Sequence, residues 1–257
     1  MLQMKRFLLA TGATLVALLA PAAAPAFGEI IELGDTTTPL SQPVCPATGG
    51  CPIILTETTA LQIESDGTTY PTMAAHNGRI VAFSVTPATV SAADINGTAK
   101  TKTKAAQPGL NATYGGASEA AITVLQASTK HFYKVVAESP VFQLQPYFGH
   151  LVQFVLDQSL PIAKGEFVAL TVPTWAPLLT VDLTKSQFLW RPSRSSSCLD
   201  YTQQTAQLMT GENAQYLCFF TGTRVEYTAT EITSPVPPPQ PKTKPTKTTT
   251  TTTPTKK

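Results

Sequence analysis

The chain has 257 residues, 42% of them hydrophobic and 13% charged, and a formal net charge of +2. That length is ample for one buried core, and after the first turns of the chain no stretch reaches the ~18 consecutive apolar residues of a membrane-spanning helix. The charge is uneven: residues 27–232 hold all 16 acidic residues against 11 basic ones, a net of −5, and the tail carries +5 from Lys242, Lys244, Lys247, Lys256 and Lys257. An acidic body speaks against a nucleic-acid partner, which selects a basic face.

Residues 1–26 read as a signal peptide. Lys5 and Arg6 precede the apolar run FLLATGATLVALLA (residues 7–20), and Ala24-Pro25-Ala26 supplies small residues for cleavage after Ala26. The competing reading is an uncleaved anchor. Export permits disulfides. Cys45 and Cys51 bracket the turn-rich PATGG, and Cys198 and Cys218 flank a polar segment. Four cysteines allow three pairings, of which the local one is the simplest. A zinc site needs short spacings such as C-x2-C, or histidine partners. Neither cysteine pair has them, and His76, His131 and His150 are scattered. No metal and no cofactor are expected.

Residues 27–52 read as an irregular lead-in and 53–232 as a β domain. PIILTE (52–57) and ALQIES (60–65) are short strand-like runs, the second ending at an Asp66-Gly67 turn. GRIVAFSV (78–85) alternates, with Val81, Phe83 and Val85 predicted to face the core and Ile80, Ala82 and Ser84 the other side. Residues 86–118 are poor in large apolar side chains and read as a long loop. Further strand signals follow at 120–127, 131–139, 141–148, 150–157, 166–172, 178–183, 186–192, 216–222 and 223–232, with turn residues between them. The segment 203–215 reads as a loop or a single helical turn. Pro173, Trp175 and Pro177 mark another loop. No window of helical length shows a 3.6-residue period, and parallel α/β folds need crossover helices. The expectation is an all-β antiparallel sandwich of jelly-roll type. From residue 233 the chain turns into a Pro/Thr/Lys-rich tail with almost nothing apolar to bury, predicted to be disordered and extended.

Three stretches, NGRIVAFSV (77–85), YGGASEAAITVLQASTKHFYKVVAES (114–139) and VQFVLDQSLPIAKGEFVALTVPTWAPLL (152–179), resemble in order and spacing a group of secreted β-sandwich proteins of high-GC Gram-positive bacteria. In that group a strand pair ends in a Pro-apolar-x-x-Gly-Asp/Glu turn, matched here by Leu160-Pro161-Ile162-Ala163-Lys164-Gly165-Glu166. The resemblance covers about residues 76–192 and implies secretion and a sandwich fold, with no reaction assigned. The turn also has a plain physical account, since Gly165 supplies positive φ.

Catalytic signatures are missing. There is no G-x-S-x-G elbow and no H-E-x-x-H. The mid-strand carboxylates Glu138, Asp157, Asp182 and Glu226 are the candidates for the pair that glycoside hydrolysis requires, and a surface role is the preferred reading of each. Asp94 and Asn96 in DINGT make half of a calcium loop without the remainder, which leaves an Asn-Gly turn. Asn96-Gly97-Thr98 and Asn111-Ala112-Thr113 are glycosylation sequons. Aromatic residues near strand ends, Trp175, Tyr147, Phe148 and Trp190, are the ligand-binding candidates, because flat rings complement the apolar face of a sugar. The plainer account of Trp175 is a loop anchor rigidified by its prolines. The preferred reading is an extracellular or cell-envelope protein of non-catalytic binding or structural role. Its cationic tail is expected near anionic wall polysaccharide. A carbohydrate-binding module and a secreted glycan hydrolase are the alternatives.

Overall fold

The computed structural model describes residues 28–47, 51–199 and 206–234. The signal-peptide and tail expectations lie outside these residues, apart from the tail's first two positions. So do residues 203–205 of the expected loop.

The larger strands are β1 (Ile30–Leu33), β2 (Leu55–Ser65), β3 (Gly78–Val85), β4 (Glu119–Ala127), β5 (Phe132–Glu138), β6 (Val152–Ile162) and β7 (Phe167–Ala176). After them come β8 (Leu179–Thr180), β9 (Leu189–Pro192), β10 (Asn213–Gln215), β11 (Phe220–Thr221), β12 (Arg224–Val225) and β13 (Tyr227–Thr233). Eight of these form one long antiparallel ribbon folded on itself: β1 pairs with β13, β2 with β7, β3 with β6, and β4 with β5. Rolling the ribbon adds β13 beside β3 and β7 beside β4. The result is one sheet of order β1-β13-β3-β6 and a larger one running β10-β5-β4-β7-β2-β9-β11. This is a jelly-roll order, within the all-β sandwich class expected from the sequence, which left the strand order open. The stretch between β7 and β13 supplies β9 and β11, which extend the larger sheet past β2. Among the described residues, no strand of the smaller sheet extends past β1.

The main core lies between the sheets. Ile80, Phe83, Phe154, Leu160 and Ala229 of the smaller sheet meet Ala60, Ile122, Val124, Val168 and Leu170 of the larger. Removing the Ile, Leu, Val and Phe side chains of this set from water contributes ~1.5–3 kcal/mol each. Tyr227 ties the layers together. Its hydroxyl donates to the Val168 carbonyl at 3.0 Å and accepts from the Gln62 N–H at 3.4 Å. Burial raises its pKa well above the phenolic range against the opposing pull of the Gln62 N–H, so it stays a neutral donor.

A second, smaller core sits on the outer face of the larger sheet. Leu61, Leu125, Tyr133, Val135, Phe167 and Ala169 are capped there by Tyr216. Beside it runs a buried hydroxyl ladder across three strands. Thr171 Oγ1 lies 2.9 Å from Thr59 Oγ1 and 2.6 Å from Thr123 Oγ1, and the Gln207 N–H donates to Thr59 Oγ1 at 2.9 Å. The covering segment that carries Gln207 and Tyr216 is tied down by the Cys198–Cys218 disulfide. The Cys45–Cys51 disulfide is also formed, so the local pairing holds at both sites.

Several local expectations are corrected. The lead-in contains β1, whose partner β13 lies some 200 residues on, too short a strand for a periodicity to show. PIILTE and ALQIES merge into one strand, interrupted only where Glu57 takes φ +42°. The 141–148 run yields a two-residue strand, Phe142–Gln143, and a 3-10 turn, Gln145–Tyr147, because Pro146 removes a ladder donor. The 178–183 run shrinks to β8, and 216–222 to β11. The 86–118 loop holds two short helices, Ala92–Asn96 and Leu110–Thr113. Ser91 caps the first through its side chain, and Gly97 ends it at φ +82°.

Candidate functional site

Trp175 is on a strand, not in a loop. β7 runs through Pro173 because the register against β2 shifts between Val172 and Trp175, a bulge that absorbs the missing proline donor. The indole is 0% exposed. Its Nε1–H donates to Asn111 Oδ1 and to the Gly116 carbonyl, both at 3.1 Å. The ring packs on Phe148 with centroids 5.8 Å apart. Trp175 therefore anchors the end of the 86–118 loop to the sandwich and turns no face to solvent. Asn111 Oδ1 also accepts from Gln145 Nε2 at 3.1 Å, so this sequon residue is a packing element.

The other aromatic candidates do not gather around it. Tyr147 stands edge-on to Phe154 and is 39% exposed, the most open of the four rings. Trp190, on β9, stacks on Phe220 of β11, with centroids 5.1 Å apart and planes 27° apart. This second pair belongs to a cavity of about 620 Å3, within the range of small-molecule sites. The cavity forms where β9 and β11 carry the larger sheet beyond the smaller one. Its walls are Thr56 and Thr58 of β2, Trp190 and Pro192 of β9, Phe220, the stretch from Leu179 to Lys185, and Leu110 and Tyr114 from the long loop. Cys51 and Arg194 bring both disulfide-bearing segments to its edge.

Most of this wall is apolar. Asp182 and Lys185 stand exposed at the rim. Asp182 holds φ +60°, a left-handed conformation that short polar side chains tolerate. Arg194 is buried, and one of its guanidinium nitrogens donates to the Thr56 carbonyl at 3.2 Å. Two buried polar atoms on the wall, Trp190 Nε1 and Thr58 Oγ1, have no hydrogen-bond partner among the described residues.

No protein-family model, curated protein or solved structure matches the chain.

The carboxylates lie apart in the chain and in their partners. Glu138 accepts from Thr210 Oγ1, and Asp157 is exposed on β6. Glu226 is buried beside β12. Burial raises its pKa, and the Arg224 guanidinium at 3.9 Å, the Thr180 hydroxyl and the Ser41 N–H pull the other way. Arg224 in turn donates to the Thr38 carbonyl at 2.6 Å, so this pair fastens the N-terminal segment to the β8–β12 ladder. Among the described residues no group of three or more His, Cys, Asp or Glu side chains is arranged to hold a metal, and no helix is long and apolar enough to cross a membrane.

Sequence reasoning singled out Trp190 but missed its partners. Phe220, Tyr114 and Thr58 come from segments up to 162 positions apart, and none belongs to a recognisable motif. The only signal available was Trp190 itself, an indole at alternate-residue spacing from Pro192 on a short strand.

Proposed function

We propose that this is an exported, non-catalytic binding protein, a jelly-roll domain kept near the cell envelope by its cationic tail, with the cavity beside Trp190 as its ligand site. The cavity is the observation that carries the proposal. It combines a stacked aromatic pair, an apolar wall and a few polar groups, the composition of small-ligand sites in general. Among the described residues its wall carries one carboxylate, Asp182, half of the pair that glycoside hydrolysis requires. The two disulfides support an oxidising compartment, in keeping with the resemblance to secreted sandwich proteins. Anionic wall polysaccharide is the partner suited to the tail.

Two experiments test this. Titration of the purified protein with 1-anilinonaphthalene-8-sulfonate should give saturable fluorescence at one site. Val181→Trp and Thr223→Trp, which fill the cavity, should abolish it without lowering Tm. Failure of the unmodified protein to bind saturably would refute the ligand-site reading. Deleting residues 235–257 should release the protein from isolated wall polymer at low salt, and unchanged retention rejects the tether.

A further inference from the structure

We infer that the protein forms a two-fold dimer by pairing the free edge of β6 with the same edge of a second copy, in the register centred on Gln153. This goes beyond the ligand-site reading and does not depend on it.

Four strands end the two sheets. β1, β10 and β11 are four, three and two residues long, and edges this short offer little to pair with. β6 is 11 residues long. It pairs with β3 on one side, and among the described residues no backbone hydrogen bond from Leu151 to Leu156 runs to the other. The second half of this edge is guarded. Asp157 brings a charge, Pro161 lacks a donor, Arg79 donates to the Ser159 carbonyl at 2.6 Å, and the register against β3 breaks between Val155 and Leu160. The first half is open. No Asp, Glu, Lys or Arg occurs from Pro140 to Leu156, and Val152 to Val155 pair with β3 in unbroken register.

The spacing of the exposed side chains points to a second copy as the occupant. Leu151, Gln153 and Val155 alternate on the outer face, with Leu151 65% and Val155 71% exposed. A two-fold contact must complement itself. An axis through Gln153 sets Gln153 opposite its own copy and Val155 opposite the partner's Leu151 on both sides of it, close enough for cross-strand packing. An axis through Phe154 sets Leu151 against Asp157, one through Val152 leaves Val155 opposite Gly149, and one through Asp157 opposes two carboxylates. Charge and apolar matching therefore select one register. At the ~30–40 Å2 per residue of ordinary interfaces, roughly ten residues a side cover ~600–800 Å2 in total, below the ~1,200–2,000 Å2 of stable complexes. The dimer is accordingly weak and reversible. β6 lies over β4 and β5, on the side of the sandwich away from β9 and β11, so the cavity stays open in both copies.

Sedimentation velocity of the purified protein should show the weight-average mass climbing from one chain towards two between about 10 µM and about 1 mM. Gln153→Lys and Gln153→Glu each place like charges opposite one another across the axis, and each should stay monomeric over that range with Tm unchanged. Mixed in equal amounts, the two variants should dimerise again, about tenfold or more tightly than either alone. Gln153→Cys should give a disulfide-linked dimer on mild oxidation, because directly opposed Cα atoms of antiparallel strands lie ~4.5–5.5 Å apart, within disulfide reach. A monomer at every concentration, a dimer that survives both charged variants, a mixture that stays monomeric, or a Gln153→Cys chain that does not cross-link overturns the inference.

Discussion

Replacing Trp175 with phenylalanine removes one N–H and strips a donor from two acceptors, Asn111 Oδ1 and the Gly116 carbonyl. The expected cost is about 1–3 kcal/mol, read as a lower urea midpoint at unchanged m-value. Two carboxylates set opposite pH dependences. Burial alone would raise the Asp66 pKa, but the hydroxyls of Thr36, Thr38 and Thr37 and the Thr38 N–H outweigh it and bring the group to about 2. A carboxyl depressed on folding adds stability above its unfolded pKa near 3.8, lost as the pH falls towards 2. Asp66→Asn should therefore flatten the acid limb of Tm against pH in that window and cost about 1–2 kcal/mol at neutral pH. Glu231 behaves in the reverse sense. It is 0% exposed, and neither carboxylate oxygen has a hydrogen-bond partner among the described residues. Burial raises its pKa against the pull of His76. Its ionisation opposes folding, so stability falls as the pH climbs from the unfolded value of about 4.3. Glu231→Gln should raise Tm at pH 7 and leave it little changed at pH 4, and a lower Tm at pH 7 would reject this account. Gly78 is fixed by the same carboxylate, since a Cβ there would lie 2.4 Å from Glu231 Oε1.

At the scale of elements, the covering segment over the outer sheet face is the least self-evident part of the fold. Among its described residues only β10 is regular, so the Cys198–Cys218 disulfide and the threonine ladder carry much of the fastening. The bridge spans 20 residues, and opening it should cost about 3 kcal/mol on loop-entropy grounds. Mild reduction should expose the capped cluster around Tyr133 and Phe167, seen as a lower Tm and a blue shift of tyrosine near-UV absorbance. Thr171→Val keeps the shape but leaves the Thr59 and Thr123 hydroxyls short of a partner, a loss of about 1–3 kcal/mol by chemical denaturation. Bulges explain where alternation misled. The β3–β13 register shifts between Thr230 and Glu231, and the β3–β6 register shifts at the same level. Phe83 and Val85 point into the core as their spacing implies. Below the bulge the parity reverses, and Ile80 takes the core position expected of Val81. Pro161 and the Arg79–Ser159 bonds mark the edge strand β6 at this level.

Over the whole molecule, pairing of sequence-distant strands dominates: first with last, second with seventh among the eight of the ribbon. Such non-local order makes folding slow relative to helical proteins of this size, because loop closure precedes most of the contacts that reward it. Tyr227 joins the layers near the middle of that order. Tyr227→Phe should cost about 1–2 kcal/mol, since the Val168 carbonyl loses its donor while the ring stays packed. The same roll creates the cavity, as the larger sheet outgrows the smaller on the side of β9.

The sequence by itself determined the all-β class and the turns at Asp66-Gly67 and Gly165, and offered the local cysteine pairing as the simplest of three. These rest on neighbours in the chain: β-branched alternation, a short loop closed by two thiols, and residues that accept positive φ. Trp175 was legible as an anchor because prolines flanked it, although its place on a bulged strand was not. Only the tertiary structure decided the jelly-roll register, the reversal of parity at Ile80, and the meeting of Trp190 with Phe220, Thr58 and Tyr114 around one cavity. The reason is physical. A bulge alters which face a residue takes without altering its type, and a cavity is a property of surfaces brought together from several strands, none of which carries it alone.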